Sequence, residues 1–256
     1  MFWSRSEGSR IHVDMMPKGS LERQREPFDG SSGWPLGPYQ AANRAAQLHY
    51  YGDFGCGLSA GDVHVSPGSL ESLAAGLDTD KGTVHSYLPY YDAIFRDYRE
   101  RLRSGETMAL LEIGVWSGGS IALWRRWFGP SLCLHCIDIS LPRWLPPRTS
   151  LHVGSACDEF FVESNLSRSK FDIIIDDGSH RVQDQICAFN LLRPLLRRRG
   201  VYLIEDIQSV NYKDAIESET STTFELVDLR SIKGRYDDIL LVYRMPDVPV
   251  NEADEP

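Results

Sequence analysis

The sequence predicts an α/β protein with a doubly wound, mostly parallel seven-stranded sheet that ends in an antiparallel hairpin. Three observations predict this fold. Five short runs after residue 80 are apolar throughout, as in strands buried on both faces of a parallel sheet. Longer amphipathic runs separate them, which indicates crossover helices. The last two apolar runs are joined by a turn that contains glycine, which predicts a hairpin.

The predicted strands follow one another from residue 108 onwards. The five parallel candidates are MALLEI (108–113), LCLHCID (132–138), LHVGS (151–155), FDIIID (171–176) and VYLIED (201–206). The hairpin is predicted from FELVDLR (224–230) and ILLVYRM (239–245).

Three amphipathic runs between these strands predict helices. They are SIALWRRWF (120–128), DEFFVESNL (158–166) and VQDQICAFNLLRPLLRR (182–198). Pro194 is expected near the last turn of the third helix, or to kink it.

The chain changes character near residue 80. Residues 1–78 are rich in Gly, Ser and Pro, and they predict a loop-rich extension with one helix at about 39–51. The extension carries many aromatic residues, which is unusual for a disordered tail. We therefore expect it to dock on the main body, as a lid, or on a neighbouring subunit of a homo-oligomer, whereas residues 79–256 form the principal domain.

Composition and charge exclude several kinds of partner. The 256 residues are 42% hydrophobic, carry a formal net charge of -9 and have a pI near 5.3. A protein that binds nucleic acid through its phosphates needs a basic face, so we expect no nucleic-acid partner. The sequence shows no signal peptide and no apolar run long enough to cross a bilayer, which predicts a cytoplasmic protein without membrane contact.

The first predicted strand runs into the glycine-rich sequence LLEIGVWSGGS. A dinucleotide-binding loop needs a second glycine where this chain has Trp116, whose side chain would block the diphosphate. The remaining pattern, from Glu112 through Gly114 and Gly118 to Ser120, resembles the loop of class I S-adenosylmethionine-dependent methyltransferases. Such turns also occur for purely steric reasons.

A second feature agrees with an adenosine ligand. The second predicted strand ends in Asp138, where a carboxylate can accept hydrogen bonds from both hydroxyls of a ribose. An ordinary helix-capping aspartate at a strand end is the alternative interpretation.

Two acidic pairs follow the fourth and fifth predicted strands. Asp176 and Asp177 end one strand, and Glu205 and Asp206 end the next. Neighbouring strands lie about 4.8 Å apart, so up to four carboxylates meet at one edge of the sheet. Unpaired, they would cost several kcal/mol or become protonated. A hard divalent cation, Mg²⁺ by preference, removes this cost, whereas solvated acids in a turn are the structural alternative.

The spans 79–95, 110–124, 137–140, 174–180 and 200–207 together resemble the metal-dependent sugar O-methyltransferases of antibiotic biosynthesis. The resemblance covers roughly residues 79–245 and is most specific in IIDDGSH and the later GVYLIEDI. It implies a Rossmann-like methyltransferase domain that uses S-adenosylmethionine and Mg²⁺ to methylate a small-molecule sugar or glycoside.

The resemblance also implies roles for single residues. Asp177, Glu205 and Asp206 take the places of the metal ligands, and His180 takes that of the general base. Residues at the predicted donor site are Glu112, Gly114, Gly118, Ser120, Asp138, Asp176 and Tyr87. Lys81, His85 and Tyr87, from the stretch TDKGTVHSY, are candidates for the pocket.

Three functions fit these residues. The first is Mg²⁺-dependent O-methylation of a deoxysugar that is nucleotide-linked or attached to a natural product. The second keeps the fold and donor but acts on a catechol-like or other vicinal-oxygen acceptor, or follows the cephalosporin-hydroxylase-like relatives of the pattern. The third is a non-catalytic, donor-binding subunit, against which the presence of His180 argues, since a binding module needs no base.

Overall fold

The sheet of the computed structural model, which describes residues 68–247, contains seven strands. They are β1 (Ala109–Ile113), β2 (Cys133–Asp138), β3 (Thr149–Val153), β4 (Phe171–Asp176), β5 (Leu196–Ile204), β6 (Glu225–Asp228) and β7 (Ile239–Arg244). Their order in the sheet is β3-β2-β1-β4-β5-β7-β6. Strands β1 to β5 pair in parallel, and β7 pairs antiparallel with both β5 and β6. The predicted doubly wound sheet with a closing hairpin is confirmed.

The described helices lie between these strands or precede them. They are α1 (Leu70–Ala74), α2 (Tyr87–Arg103), α3 (Gly119–Phe128), α4 (Glu159–Leu166), α5 (Val182–Leu192), α6 (Tyr212–Thr220) and α7 (Arg230–Lys233). Among the residues described, no helix combines the length and apolar character needed to span a membrane.

Two apolar clusters cover the two faces of the sheet. In one, Phe95 and Trp124 from α2 and α3 pack against strand residues such as Leu110. In the other, Phe189 from α5 packs with the next residue of β1, Leu111. Successive side chains of a strand point to opposite faces, so β1 contributes side chains to both clusters and is buried at every position. This burial explains why the strand sequences do not alternate.

The predicted third helix is too long by six residues. Helix α5 ends at Leu192, Arg193–Leu195 forms one 3₁₀ turn, and β5 already begins at Leu196. Pro194 cannot donate the hydrogen bond that would continue the helix. The basic residues after it therefore belong to the start of a strand.

The core of the described region begins before residue 79. Leu70 in α1 is fully buried in the apolar cluster of α2 and α3, and its backbone N–H donates to Asp92 Oδ2 at 3.1 Å. The predicted helix at 39–51 and most of the proposed extension lie outside the described residues. The proposed boundary at residue 78 stays a prediction.

Strands β4 and β5 are neighbours, so their carboxyl ends meet at one edge. Asp176 pairs with Ile204 in the parallel ladder, and the backbone N–H of Glu205 donates to the carbonyl of Asp176 at 2.9 Å. This pairing brings the two acidic pairs together, as the sequence predicts.

Candidate active site

A cavity of about 780 Å³ opens at the carboxyl ends of β1, β2 and β4. Four residues of the predicted donor site line it, namely Gly114, Ser120, Asp138 and Asp176. Asp177 and His180 also belong to its wall. The cavity is therefore where open α/β sheets bind ligands, beyond the carboxyl ends of their strands.

The loop between β1 and α3 passes very close to the end of β4. Gly114 has a φ of +86°, and a Cβ atom there would lie 2.0 Å from the backbone oxygen of Asp177. Gly118 caps α3 in the left-handed conformation and does not itself line the cavity. Trp116, which excluded a dinucleotide loop, lies at the cavity with its side chain mostly exposed. The glycines thus allow the loop to lie against Asp177.

Asp138 is fixed in orientation by the loops around it. Its Oδ2 accepts from the backbone N–H of Val115 at 2.8 Å, and its Oδ1 accepts from the backbone N–H and hydroxyl of Ser140 at 2.9 and 3.0 Å. The carboxylate still lines the cavity. It is placed to accept hydrogen bonds from a hydroxyl-bearing ligand.

Asp176 ends β4 with its side chain almost entirely buried. Burial raises the pKa of this carboxyl to about 7, and the backbone N–H of Gly178 opposes this shift by donating to Oδ1. A hydrogen bond from the hydroxyl of Tyr202 also opposes this shift. Asp176 is part of the cavity wall.

Beside the cavity, Asp177, His180 and Asp206 form a group of possible metal ligands. One ligand atom from each lies within 4.8 Å of the others. The His180 Nε2 atom is 3.7 Å from Asp206 Oδ2. His180 and Asp206 both have positive φ angles, of 57° and 55°, so the chain turns sharply at each. Asp206 directly follows Glu205, whose carboxylate is not part of this group.

Tyr87 holds Asp206 in place and does not line the cavity. Its hydroxyl donates to Asp206 Oδ1 at 2.6 Å and accepts from the Asp206 backbone N–H at 3.2 Å. Burial and the charge of Asp206 raise the pKa of Tyr87 far above its usual range, so it remains a donor. The ring of His85 stacks on Tyr87, with its Nδ1 3.4 Å from Asp206 Oδ1. The predicted donor-site role of Tyr87 thus has no support in this placement.

The carboxylate of Glu205 faces the interior. Both its oxygens accept from Lys81 Nζ, at 2.8 and 2.7 Å, and Oε1 also accepts from the hydroxyl of Tyr91 at 2.6 Å. The structure does not bring this side chain into the group formed by Asp177, His180 and Asp206. The predicted set of three carboxylate ligands is therefore divided between two neighbouring clusters.

Glu112 is likewise fully buried and does not line the cavity. One oxygen accepts from the indole N–H of Trp124, and the other lies 3.4 Å from Lys81 Nζ. Burial raises the pKa of Glu112, and the charge of Lys81 opposes this shift. Glu112 therefore links the end of β1 to α3 and to Lys81.

Lys81 neutralises part of the negative charge for which the sequence predicts a metal. Burial alone would lower the pKa of its ammonium, but the charges of Asp177, Glu205 and Glu112 outweigh burial and raise the pKa well above its usual value. The ammonium is thus a resident cation among the carboxylates. A divalent ion would therefore neutralise mainly the carboxylates of the group formed by Asp177, His180 and Asp206.

Two polar residues at the site were not predicted. Tyr91 holds Glu205 through its hydroxyl, and Gln185 lines the cavity while its side-chain amide donates to the backbone oxygen of Glu205 at 3.1 Å. Both lie inside amphipathic helices, where nothing in their sequence spacing separates them from packing residues. Lys81 and His85 were found because they occur in the TDKGTVHSY stretch.

No protein-family model matches the chain. The chain is 30% identical over 195 residues to the demethylmacrocin O-methyltransferase of Streptomyces fradiae, a match that covers 72% of this chain and 48% of that enzyme. It is 35% identical over 164 residues to the mycinamicin VI 2''-O-methyltransferase of Micromonospora griseorubida, covering 60% of this chain and 38% of that enzyme. The chain therefore spans half or less of the length of these curated relatives.

Solved structures agree with these matches. The MycE methyltransferase of the mycinamycin biosynthetic pathway, in complex with Mg and SAH, is 27% identical, with a TM-score of 0.55 over 75% of this chain and 58% of that chain. A complex of MycE that also contains mycinamycin VI gives 28% identity and a TM-score of 0.54, with the same coverage. The resemblance to the sugar O-methyltransferases of antibiotic biosynthesis and the methyltransferase fold are both confirmed.

Proposed function

We propose that this protein is an Mg²⁺-dependent O-methyltransferase that moves a methyl group from S-adenosylmethionine to a hydroxyl of a deoxysugar, nucleotide-linked or on a natural-product glycoside, in secondary metabolism. One observation carries the proposal. Asp177 and His180 line the cavity and also belong to the group of possible metal ligands with Asp206. A donor in the cavity and a hydroxyl at this group would be neighbours.

The cavity suits the methyl donor. Asp138 offers a carboxylate for the ribose hydroxyls, and Asp176 and Ser120 line the same space. The loop at Gly114 lacks the glycine pattern that binds a diphosphate. Such a loop suits a nucleoside that carries an amino acid and no diphosphate. Among the relatives, the MycE enzyme is seen with SAH, the product form of this donor.

The group formed by Asp177, His180 and Asp206 suits a hard cation. Asp177 and Asp206 offer the carboxylate oxygens that Mg²⁺ prefers, and one atom of each lies within 4.8 Å of the other. Glu205 stays the predicted third ligand, now bonded to the same ammonium as Asp177. When bound, the ion would lower the pKa of a coordinated hydroxyl and help to hold the acceptor in place.

His180 is the proposed general base. Its imidazole is partly exposed at the cavity wall, and its backbone oxygen accepts from the side-chain amide of Gln208 at 3.5 Å. A neutral imidazole takes the hydroxyl proton as the oxygen attacks the methyl carbon of the sulfonium. The carbon–sulfur bond breaks, so the products are the methyl ether, S-adenosylhomocysteine and a protonated His180.

Sugar acceptors are favoured by the relatives. By their names, the curated relatives act on compounds such as demethylmacrocin, rhamnosyl tetracenomycin-C and olivosyl-oleandolide. Catechol-like acceptors keep the same residues in use and stay an alternative for this chain. Homo-oligomeric assembly and a cytoplasmic location also stay predictions.

The direct test uses methyl-labelled S-adenosylmethionine with a panel of nucleotide deoxysugars, macrolide and anthracycline-type glycosides, and catechols. We expect label in a glycoside or nucleotide sugar only when Mg²⁺ is present, with the methylated position located by mass spectrometry. Label in a catechol alone would replace the sugar acceptor by the alternative. Transfer that is unaffected by EDTA would reject the role of the metal.

A further inference from the structure

A single ammonium joins the ends of three strands. Lys81 Nζ lies 2.6 Å from Asp177 Oδ2, 2.7 Å from Glu205 Oε2 and 3.4 Å from Glu112 Oε1. The side chain of Lys81 is only 1% exposed. Glu112 belongs to β1, Asp177 follows β4 and Glu205 follows β5, so the contacts reach across the middle of the sheet.

The backbone that carries Lys81 is anchored on both sides. Three successive backbone N–H groups, those of residues 83–85, donate to the Asp80 carbonyl, and the N–H of Tyr87 donates to the Lys81 carbonyl at 3.1 Å. From outside, Lys233 Nζ donates to the carbonyls of Gly82 and His85, at 2.5 and 2.6 Å. The ammonium therefore has a fixed position that does not depend on a flexible loop.

Asp177 takes part in both clusters of charged groups. Its Oδ2 accepts from Lys81, and the same residue offers a ligand atom to the group with His180 and Asp206. Without the ammonium, the buried carboxylates of Glu205 and Glu112 and the partly buried carboxylate of Asp177 would lie together with no positive charge between them. Carboxylates in that arrangement repel one another and are expected to move apart or become protonated.

We propose that Lys81 is a positioning residue that keeps the carboxylates of Glu112, Asp177 and Glu205 together before any divalent ion binds, and so preforms the metal site beside the donor loop. The inference rests on the proposed function for the identity of that ion. It goes further by assigning Lys81 two tasks. The ammonium stabilises the ion-free protein, and it holds Asp177 where the ion is to bind, which lowers the cost of organising the site.

The test compares Lys81→Met, Lys81→Met/Glu205→Gln and the wild type by thermal unfolding in EDTA and in saturating Mg²⁺. Methionine keeps the length of the side chain without its charge, and the second substitution removes one of the stranded carboxylates. Lys213→Met, which removes a partly exposed lysine paired with Glu217, is the matched control. Titration calorimetry with Mg²⁺ alone gives the ion affinity of each variant.

We expect Lys81→Met to lower the ion-free Tm by roughly 10 °C, because it leaves buried charges without their partner. Mg²⁺ should raise the Tm of this variant by less than it raises that of the wild type, because weaker binding gives a smaller stabilisation at the same ion concentration. The double variant should regain much of the ion-free Tm without Mg²⁺. Lys213→Met should behave as the wild type, and Lys81→Met should bind Mg²⁺ about tenfold or more weakly, equal to at least about 1.4 kcal/mol.

Three results would overturn the inference. The first is a wild-type Tm and Mg²⁺ affinity in Lys81→Met. The second is a loss of Tm that is equal with and without Mg²⁺, which would indicate simple packing. The third is a double variant that is no more stable than the single one. This comparison tests the inference even if Lys81→Met does not fold, because removing one unpaired carboxylate should then restore folding. If the wild type shows no response to Mg²⁺, the proposed metal is rejected. The Tm values measured in EDTA would still test whether Lys81 stabilises the three carboxylates.

Discussion

At the scale of single residues, the close approach at Gly114 gives a prediction that needs no ligand. Alanine there would be strained by the φ of +86° and would place its Cβ 2.0 Å from the Asp177 backbone oxygen. We expect Gly114→Ala to lower the free energy of unfolding by roughly 3 kcal/mol. Gly105 is the matched control, because its φ is +92° but no atom lies within 4 Å of a Cβ.

Chemical denaturation of both variants measures the difference. Gly105→Ala should cost about 1 kcal/mol, the price of the left-handed backbone alone. If the two substitutions cost the same, the loop at Gly114 is not pressed against the end of β4.

His180 gives the second prediction at this scale. Its φ of 57° is better tolerated by asparagine than by alanine, so His180→Asn tests the base with little backbone strain. We expect methyl transfer to fall by about 10²- to 10⁴-fold, the usual contribution of a general base. The dissociation constant of S-adenosylhomocysteine, measured by calorimetry, should change little. A variant with the turnover of the wild type would remove His180 from the reaction.

At the scale of elements, a pair of histidines couples strands β2 and β3 to pH. His135 Nδ1 lies 3.2 Å from His152 Nε2, and the rings are stacked. Burial lowers the pKa of His135 to about 4, and burial followed by the charge of His135 lowers that of His152 to about 4. The unfolded chain, with histidine pKa values near 6.5, therefore binds more protons between about pH 6.5 and 4. The stabilisation from neutral imidazoles is complete above this window and is lost as the pH falls through it.

His152→Leu tests this effect, because the variant keeps a buried apolar side chain in β3. The wild type should lose about 1 to 2 kcal/mol more than the variant between pH 7 and pH 5. Urea unfolding at several pH values gives the comparison, and carboxylates that titrate in both proteins cancel in the difference. Parallel pH profiles would show that the histidine pair does not sense protons in this way.

The bounds of the helices and strands show which parts of the fold can be predicted from sequence patterns. FDIIID was predicted as a strand with the bounds that β4 has, because a run buried on both faces leaves a continuous apolar signal. The end of α5 was misplaced because the basic run after Pro194 fits a helix surface and a strand start equally well. Glu205 is separated from the group around Asp206 by its contacts with Lys81 and Tyr91, which lie more than a hundred residues away in the chain and leave no local sequence signal.

At the scale of the whole molecule, the meeting of the carboxyl ends of β4 and β5 at one edge of the sheet was predictable. The distribution of charge at that edge was not. The acidic pairs indicated a cation, and the order of the strands brought the pairs together. Which cation serves each carboxylate depends on Lys81, which is more than ninety residues away from Asp177 in the chain. Local spacing carries no information about such a contact, so the sequence predicted a divalent cation for all these carboxylates, whereas the structure places an ammonium among three of them.

The same arrangement predicts how the whole fold responds to its ligands. A ligand that binds only the folded chain stabilises it by about 2.7 kcal/mol at a hundred times its dissociation constant, which corresponds to roughly 5 to 10 °C in Tm for a domain of this size. We expect S-adenosylhomocysteine to give such a shift and Mg²⁺ to add to it, because Asp177 and His180 belong to both sites. EDTA should remove only the second part. NAD should give no shift, since Trp116 lies where a dinucleotide needs glycine. A thermal-shift series with each ligand alone and in pairs measures these effects, and stabilisation by NAD without any by S-adenosylhomocysteine would reject the assignment of the cavity to a methyl donor.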